Sequence, residues 1–177
     1  YKFPTVIGHE FAGTVSAVGT DVGDLAPGNR VVVFPLLWCG RCSACEQGRY
    51  AQCLDYDYLG SRSDGGFAEF VVAPRRNLLR VPDNVPLDIA AMTEPAAVAL
   101  HAVRKGGELA GRTVAVFGAG PIGLMVAQWA QALGTAQVAL FDIVPEKLHM
   151  ARALGFPHAF DGRSLDPEQA IGSLTQG

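Results

Sequence analysis

Up to about Val81 the chain alternates short apolar runs with clusters of turn formers. Phe11 to Val18, Val31 to Pro35, Phe67 to Val72 and Leu78 to Val81 read as strands, because β-branched and aromatic residues gather there in runs of strand length. Gly19-Thr20-Asp21, Ala26-Pro27-Gly28-Asn29 and Asp64-Gly65-Gly66 separate them. Several short strands punctuated in this way predict a small antiparallel barrel or sandwich.

After Pro82-Asp83-Asn84 the period changes. Leu87 to Val103 is rich in Ala, Leu and Met and predicts a helix, with Pro95 at a first-turn or kink position. Gly106-Gly107 punctuates. Thr113 to Phe117 predicts a strand. Ile122 to Leu133 predicts a helix whose Ile122, Val126, Trp129 and Leu133 share the face that packs on a sheet, and Gly134 ends it. The unit then repeats, with a strand at Gln137 to Phe141 and a helix at Pro145 to Leu154 carrying Leu148, Ala151 and Leu154 at three-residue spacing before Gly155. Ala159-Phe160 suggests a third strand, and Asp166-Pro167-Glu168 an N-cap, a proline at the first helical position and an acidic first turn. Strand and helix alternating at this length predict a parallel, doubly wound sheet. The fold class is thus α/β with a β-rich domain, divided as 1–103 and 104–177. The sequence holds no internal repeat and no low-complexity tract.

The opening residues Tyr1-Lys2-Phe3-Pro4-Thr5 lead straight into a strand-like run with no initiator Met, so the natural N-terminus is expected to be missing. The chain stops at Gly177 after about half of a doubly wound sheet, so the C-terminal half is expected to be missing too.

Charge narrows the partners. Fourteen Lys+Arg stand against 17 Asp+Glu among 177 residues, a formal net charge of −3, and no basic run is present. Nucleic acid and anionic membrane surfaces both need clustered cations, so neither is an expected partner. No segment reaches the roughly 18 uninterrupted apolar residues of a membrane helix, and no signal segment opens the chain, so a cytoplasmic protein is expected.

All four cysteines fall in 15 residues as Cys39, Cys42, Cys45 and Cys53, a C-x2-C-x2-C-x7-C array. Four thiolates in one loop can close a tetrahedral shell around Zn2+, a saturated site with a structural role. An iron–sulfur pattern shares the first two spacings but continues x3-C-P, and a disulfide framework is the remaining alternative, disfavoured by the two-residue spacings and the lack of secretory context.

Gly8-His9-Glu10 sits at the mouth of the first strand, ahead of Gly13, Gly19 and Val22. A His-Glu pair alone is more often a hydrogen-bonded turn than a metal site. Glu94 changes the balance, because a carboxylate followed by Pro95 on an otherwise apolar helix requires a cation or a hydrogen-bond partner. His101 reads as a satisfied core histidine, and His149 and His158 as surface or loop residues.

Gly118-Ala119-Gly120-Pro121-Ile122-Gly123 matches G-x-G-x-x-G in the context that gives the motif weight: it follows a strand, opens a helix, and precedes Asp142 by 19 residues counted from Gly123. Gly118 permits the tight turn, Gly120 lets backbone approach a pyrophosphate, and Gly123 brings helix against strand, while Pro121 and Ile122 open the helix on whose N-terminus phosphates sit. Asp142 would accept the adenosine ribose hydroxyls and repel a 2′-phosphate, favouring NAD over NADP, with Lys147 near the same ribose or on a solvated helix face.

Together, Gly8-His9-Glu10-x2-Gly13-x5-Gly19-x2-Val22, the four-cysteine loop, Glu94-Pro95 and the GAGPIG turn resemble the zinc-dependent medium-chain alcohol and polyol dehydrogenases. The segments GHEFAG, FPLLWCGRCSACEQGRY, YLGSRSDGGFAEF and EPAAVALHA are most similar to its galactitol-1-phosphate, sorbitol and threonine dehydrogenase branch. The resemblance covers nearly the whole chain. It implies a GroES-like catalytic domain joined to a Rossmann NAD domain, a small-molecule substrate in the cleft between them, and a homo-oligomer, dimer or tetramer. It also implies that His9 is a ligand of a catalytic zinc, that Glu10 binds or approaches that metal, and that Glu94 is a further ligand or a close neighbour of one. The family's remaining ligand, a cysteine upstream of the GHE motif with a hydroxyl-bearing proton-relay residue beside it, has no counterpart in this chain. The expected reaction is oxidation of a secondary alcohol of a polyol or polyol phosphate, with Ser61 and Arg62 as contacts to substrate hydroxyls or phosphate. A zinc- and NAD-binding module without catalysis is the contrasting expectation.

Overall fold

In this chain the antiparallel strands pair across long stretches of sequence, Ala12 with Val32 and Val31 with Arg80, whereas the parallel strands are joined by strand-helix-strand units of sequence neighbours, and the two halves of the chain divide along that line. The computed structural model describes residues 3–175. Tyr1 and Lys2, at the head of the run expected to enter the first strand, lie outside the described residues, as do the last two, Gln176 and Gly177. The chain forms two compact units, Tyr1–Glu94 and Pro95–Gly177. They separate inside a helix, upstream of the boundary drawn at Val103.

In the first unit β1 (Ala12–Thr14), β2 (Arg30–Val33) and β5 (Leu78–Arg80) form an antiparallel sheet in the order β1-β2-β5. A second pair joins β3 (Leu36–Leu37) to β4 (Asp57–Tyr58), with Leu36 opposite Tyr58. Asn77, fully buried, locks the corner between the sheets. Its side-chain Nδ2 donates to the carbonyls of Phe34 and Leu36 at 2.6 and 2.8 Å, and its backbone carbonyl accepts the Phe34 N–H at 2.7 Å. A buried amide so engaged specifies one corner geometry, and through β3 it fixes where β4 runs. Between these strands the cysteine loop carries the single turn α1 (Ser43–Glu46).

The strand expected over Phe67 to Val72 does not form. Phe67 N–H donates to the Ile7 carbonyl at 3.0 Å, but beyond it the backbone is irregular, with Phe67, Phe70 and Val72 75%, 69% and 94% exposed. An alternating apolar run becomes a strand only when a ladder partner lies beside it, and none does among the described residues. The helix expected over Leu87 to Val103 is interrupted at Met92, giving α2 (Leu87–Ala91) and α3 (Thr93–Lys105). Pro95, in the first turn of α3, lacks the N–H to continue α2's ladder.

In the second unit β6 (Thr113–Phe117), α4 (Pro121–Ala132), β7 (Gln137–Asp142), α5 (Pro145–Ala153), β8 (Ala159–Asp161) and α6 (Pro167–Thr175) alternate as the pattern predicts. The strands are parallel in the order β6-β7-β8. Asp166 caps α6 through Oδ1, which accepts the N–H groups of Glu168 and Gln169 at 2.9 and 3.1 Å. The buried face of α4 differs from the expected one. Ala127 and Ala130 are fully buried with Leu124 and Val126 beside them, whereas Ile122 and Leu133 are 41% and 46% exposed. Small side chains let the helix axis approach the sheet, so the closest face is lined by Ala rather than by the largest residues. Trp129 instead donates its indole N–H to the Ala96 carbonyl at 2.9 Å. On α5, Leu148 and Ala151 are buried as expected, but Leu154 is exposed and Phe156 fills the core in its place.

Candidate active site

The Gly8-His9-Glu10 segment is held by an interlock of glycines. Asp64 Oδ1 accepts the Val6 N–H at 2.8 Å and the Thr5 hydroxyl at 3.2 Å. Gly65, Gly66 and Phe67 then donate to the carbonyls of Val6, Gly8 and Ile7 at 2.8, 2.8 and 3.0 Å. The two segments touch so closely that a Cβ on Gly60 or on Gly65 would stand 2.2 Å from the Gly8 carbonyl oxygen. Gly8 itself has φ +101°, a left-handed conformation open to glycine. The loop from Gly60 to Gly66, read in the sequence for its side chains, thus acts first through backbone contact: it sets the irregular segment that carries His9 into β1.

His9, Glu10 and Glu94 converge, with one donor atom from each lying within 4.8 Å of the others. His9 Nε2 and Glu10 Oε1 are 3.9 Å apart. Glu94 reaches the group from the first turn of α3. The fourth member is a residue that the sequence did not single out. Tyr58 donates its hydroxyl to Glu94 Oε1 at 3.1 Å and sets its ring edge-on to His9, with centroids 5.7 Å apart. Burial, then the negative charge of Glu94, push the Tyr58 phenol up to about 12, so it remains a donor. The sequence signal that leads to it is Glu94 itself, since a carboxylate on an apolar helix demands a partner.

Tyr58 also anchors the next turn through its carbonyl, which accepts the N–H groups of Ser61, Arg62 and Ser63 at 3.3, 2.9 and 3.1 Å. Arg62 lies over the Tyr56 ring at 4.0 Å and donates to the Tyr56 hydroxyl at 2.9 Å; Ser61 is half-buried on the same turn. His101 is exposed rather than a core residue, His149 is exposed, and His158 is half-buried, stacked on Phe160.

The second cluster is the cysteine loop. Cys39, Cys42, Cys45 and Cys53 are free thiols whose sulfurs all lie within 4.8 Å of one another. The Cys39–Cys45 and Cys42–Cys53 pairs are 4.0 Å apart. A tetrahedron with zinc–sulfur bonds of about 2.3 Å has edges of about 3.8 Å, so the four sulfurs stand close to the corners such an ion needs. Backbone donors prepare the loop for anionic sulfur. Cys39 N–H points at Cys53 Sγ at 3.3 Å, and the Leu54 and Cys45 N–H groups lower the Cys42 thiol to about 6. Burial drives the neighbouring Cys45 thiol up to about 12, and the adjoining sulfurs of Cys42, Cys53 and Cys39 act in the same direction.

At the glycine turn, Gly118 has φ +99° and donates to the Phe141 carbonyl at 2.7 Å. A Cβ on Gly123 would stand 1.8 Å from the Gly118 carbonyl oxygen, the close helix-strand approach expected of the third glycine. Gly120, the N-cap of α4, faces open space, and Pro121 takes the first helical position. Beyond it the N–H groups of Ile122 and Gly123 lack intrahelical acceptors, so the turn presents donors where an anion can sit. Asp142 ends β7 beside this turn. Its Oδ2 accepts the Ala119 N–H at 2.8 Å, and its Oδ1 accepts those of Ile143 and Val144 at 2.8 and 2.9 Å. These donors, Ala119 foremost, hold its carboxyl below the usual range, and Lys147 Nζ stands 3.7 Å from Oδ2.

A β-rich unit with two clusters of metal-ligand type, followed by a parallel sheet with a glycine turn at its first crossover, is the architecture of a GroES-like domain joined to a Rossmann domain. The comparisons agree: residues 1–83 match the alcohol dehydrogenase GroES-like domain and residues 121–177 the zinc-binding dehydrogenase domain, and the chain belongs to the zinc-dependent medium-chain alcohol and polyol dehydrogenase family. Galactitol 1-phosphate 5-dehydrogenase of Escherichia coli K12 is 42% identical over 96% of this chain and 49% of its own length. Sorbitol dehydrogenase of Bacillus subtilis 168 is 35% identical over 97% of this chain and 49% of its own. The crystal structure of the Escherichia coli galactitol-1-phosphate dehydrogenase superposes with a TM-score of 0.91 at 40% identity, covering 99% of this chain and 51% of that one. A zinc-binding dehydrogenase of Sinorhizobium meliloti 1021 bound to NADP gives 0.89 at 38% identity over 93% of this chain and 48% of that one. The chain thus spans about half the length of the curated relatives it matches. Among the described residues no helix is long and apolar enough to cross a membrane.

Proposed function

We propose that this chain holds the metal centres and the coenzyme turn of an NAD-dependent zinc polyol dehydrogenase, which oxidises a secondary alcohol of a polyol or polyol phosphate to a ketone. The observation that carries the proposal is the convergence of His9, Glu10 and Glu94, three residues of zinc-ligand type drawn from a strand mouth and a helix start far apart in sequence. Zinc, when bound there, supplies the Lewis acidity that lowers the pKa of a substrate hydroxyl, and the nicotinamide supplies the hydride acceptor.

The chain's own residues do the rest. His9 offers an imidazole nitrogen, and Glu10 and Glu94 offer carboxylate oxygens whose charge balances a divalent ion. Cys39, Cys42, Cys45 and Cys53 would hold a second, structural zinc that fixes the loop between β3 and β4 and leaves no ligand position for substrate. The open N-terminal turn of α4, from Gly120 through Gly123, would receive the pyrophosphate. Asp142 keeps lone pairs beyond its three backbone donors for ribose hydroxyls, and its charge opposes a 2′-phosphate, which favours NAD; Lys147 would neighbour the same ribose. Ser61 and Arg62, on the turn built on the Tyr58 carbonyl, are the candidate contacts to a hydroxylated or phosphorylated end of the substrate. Small-molecule alcohols are the partners of this reading, in a homo-oligomer of dimeric or tetrameric type and without nucleic acid.

The four-cysteine cluster and the glycine turn would serve equally in a second reading, in which this segment binds zinc and NAD without turnover. One assay separates the two and tests the first. The intact protein is offered galactitol 1-phosphate, sorbitol, xylitol and threonine with NAD and with NADP, before and after chelation. Oxidation of a polyol that prefers NAD and disappears on zinc removal supports the enzyme; activity that survives complete zinc removal overturns it. Coenzyme binding without turnover on any of these alcohols supports the binding module.

A further inference from the structure

We propose that Tyr58 is a positioning residue of the metal site, acting through Glu94; the proposal rests on the reading of His9, Glu10 and Glu94 as metal ligands. Tyr58 touches two of the three. Its hydroxyl donates to Glu94 Oε1 at 3.1 Å, and its ring meets His9 edge-on at 68°. It is itself firmly held, because β4 pairs with β3, the buried Asn77 locks the corner leading into β3, and the Tyr58 carbonyl collects three N–H groups of the following turn.

A glutamate at the start of a helix has three side-chain torsions to settle before it can ligate, and a donor on one oxygen removes that freedom before a cation arrives. Hydrogen bonds to ligating carboxylates and imidazoles are known to set ligand orientation, and losing one typically lowers metal affinity or activity 10- to 100-fold. Tyr58 supplies both kinds of support at once. Tyr58→Phe removes the donor and keeps the ring against His9, so it isolates the contribution of the hydroxyl.

The test is a titration of the zinc-depleted intact protein with Co(II) against a competing chelator, read from the visible absorption of the bound ion. Cobalt on four thiolates and cobalt on nitrogen and oxygen ligands absorb differently, so the two sites are followed separately. Tyr58→Phe is expected to weaken the His9 site about tenfold and shift its absorption bands, with the cysteine site and the melting temperature unchanged. In a Glu94→Ala background, which removes the acceptor of the Tyr58 hydroxyl, the same change is expected to cost less than twofold, because two residues acting as a unit are not additive. Wild-type affinity in Tyr58→Phe, or an equal loss in both backgrounds, would overturn the proposal. A His9→Ala control distinguishes the deeper failure: if it keeps its second metal, the ligand assignment is wrong and the role of Tyr58 falls with it.

Discussion

Asp142 Oδ2 accepts the Ala119 N–H at 2.8 Å and so ties the end of β7 to the middle of the glycine turn. The carboxylate is the proposed ribose acceptor, yet its side chain is 8% exposed and already holds three backbone donors. It therefore shapes the turn in addition to the ribose contact proposed for it.

That double duty predicts that the coenzyme preference cannot be switched by removing the charge alone. Hydrogen bonds to charged groups contribute about 1.5–3 kcal/mol each, so Asp142→Ala should loosen the turn and weaken NAD binding by roughly 10- to 100-fold. NADP binding should gain little, because the pyrophosphate seat is lost along with the repulsion. Fluorescence titration with both coenzymes checks this; a clean exchange of preference with NADP binding restored to the level of NAD would sink the argument.

The same carboxylate predicts acid sensitivity of the parallel-sheet unit. Asp142 is held below its ordinary range by the Ala119 N–H, and Asp161 is brought to about 2 by Arg163. Both folded values lie below the unfolded value of about 3.9. Their stabilisation is present in full above that unfolded value and is lost as pH falls through the folded ones. Chemical denaturation midpoints should be flat between pH 5 and 7 and fall below about pH 4, and Asp161→Asn should shrink the fall. A midpoint that rises on acidification would have the wrong sign.

How much of this was legible in advance divides by the range of the contacts involved. Thr113–Phe117 and Gln137–Asp142 are strands because their own residues and the helices beside them in sequence make them so, and the cysteine loop and glycine turn are local spacings. Phe67 to Val72 has as good an apolar alternation but lacks a ladder partner, and periodicity cannot report that. The face of α4 was misread because the pattern weighs side chains by size, while the helix approaches the sheet along Ala127 and Ala130. Tyr58 carries no motif; only the isolated charge of Glu94 pointed toward a missing partner, and only the fold brings residues 36 positions apart into contact.

Local spacing does make a firm prediction at the cysteines. Cys45 and Cys53 are both 6% exposed, and their sulfurs belong to a set spaced for one ion. Cys45→Ser should remove one equivalent of zinc per chain and lower the melting temperature, since structural zinc binding is coupled to folding. Elemental analysis and thermal melts of wild type and variant check it. Unchanged zinc content would mean that the four thiols do not share a metal.

The glycine interlock offers the sharpest test of how the site is built. Gly60→Ala or Gly65→Ala would set a Cβ 2.2 Å from the Gly8 carbonyl oxygen, a backbone atom that cannot rotate aside. The segment that carries His9 must then shift, and a cost of roughly 3 kcal/mol or more is expected, at the upper end of single substitutions. Gly19→Ala is the control, because a Cβ there meets nothing within 4 Å and its backbone is not left-handed. If His9 is a ligand, the two interlock variants should lose the second metal while the distant cysteine site keeps its own, and Gly19→Ala should keep both. Metal analysis alongside circular dichroism reads this directly: an interlock variant that folds and retains two zinc ions would show that the position of His9 does not depend on the close approach of Gly60 and Gly65 to Gly8.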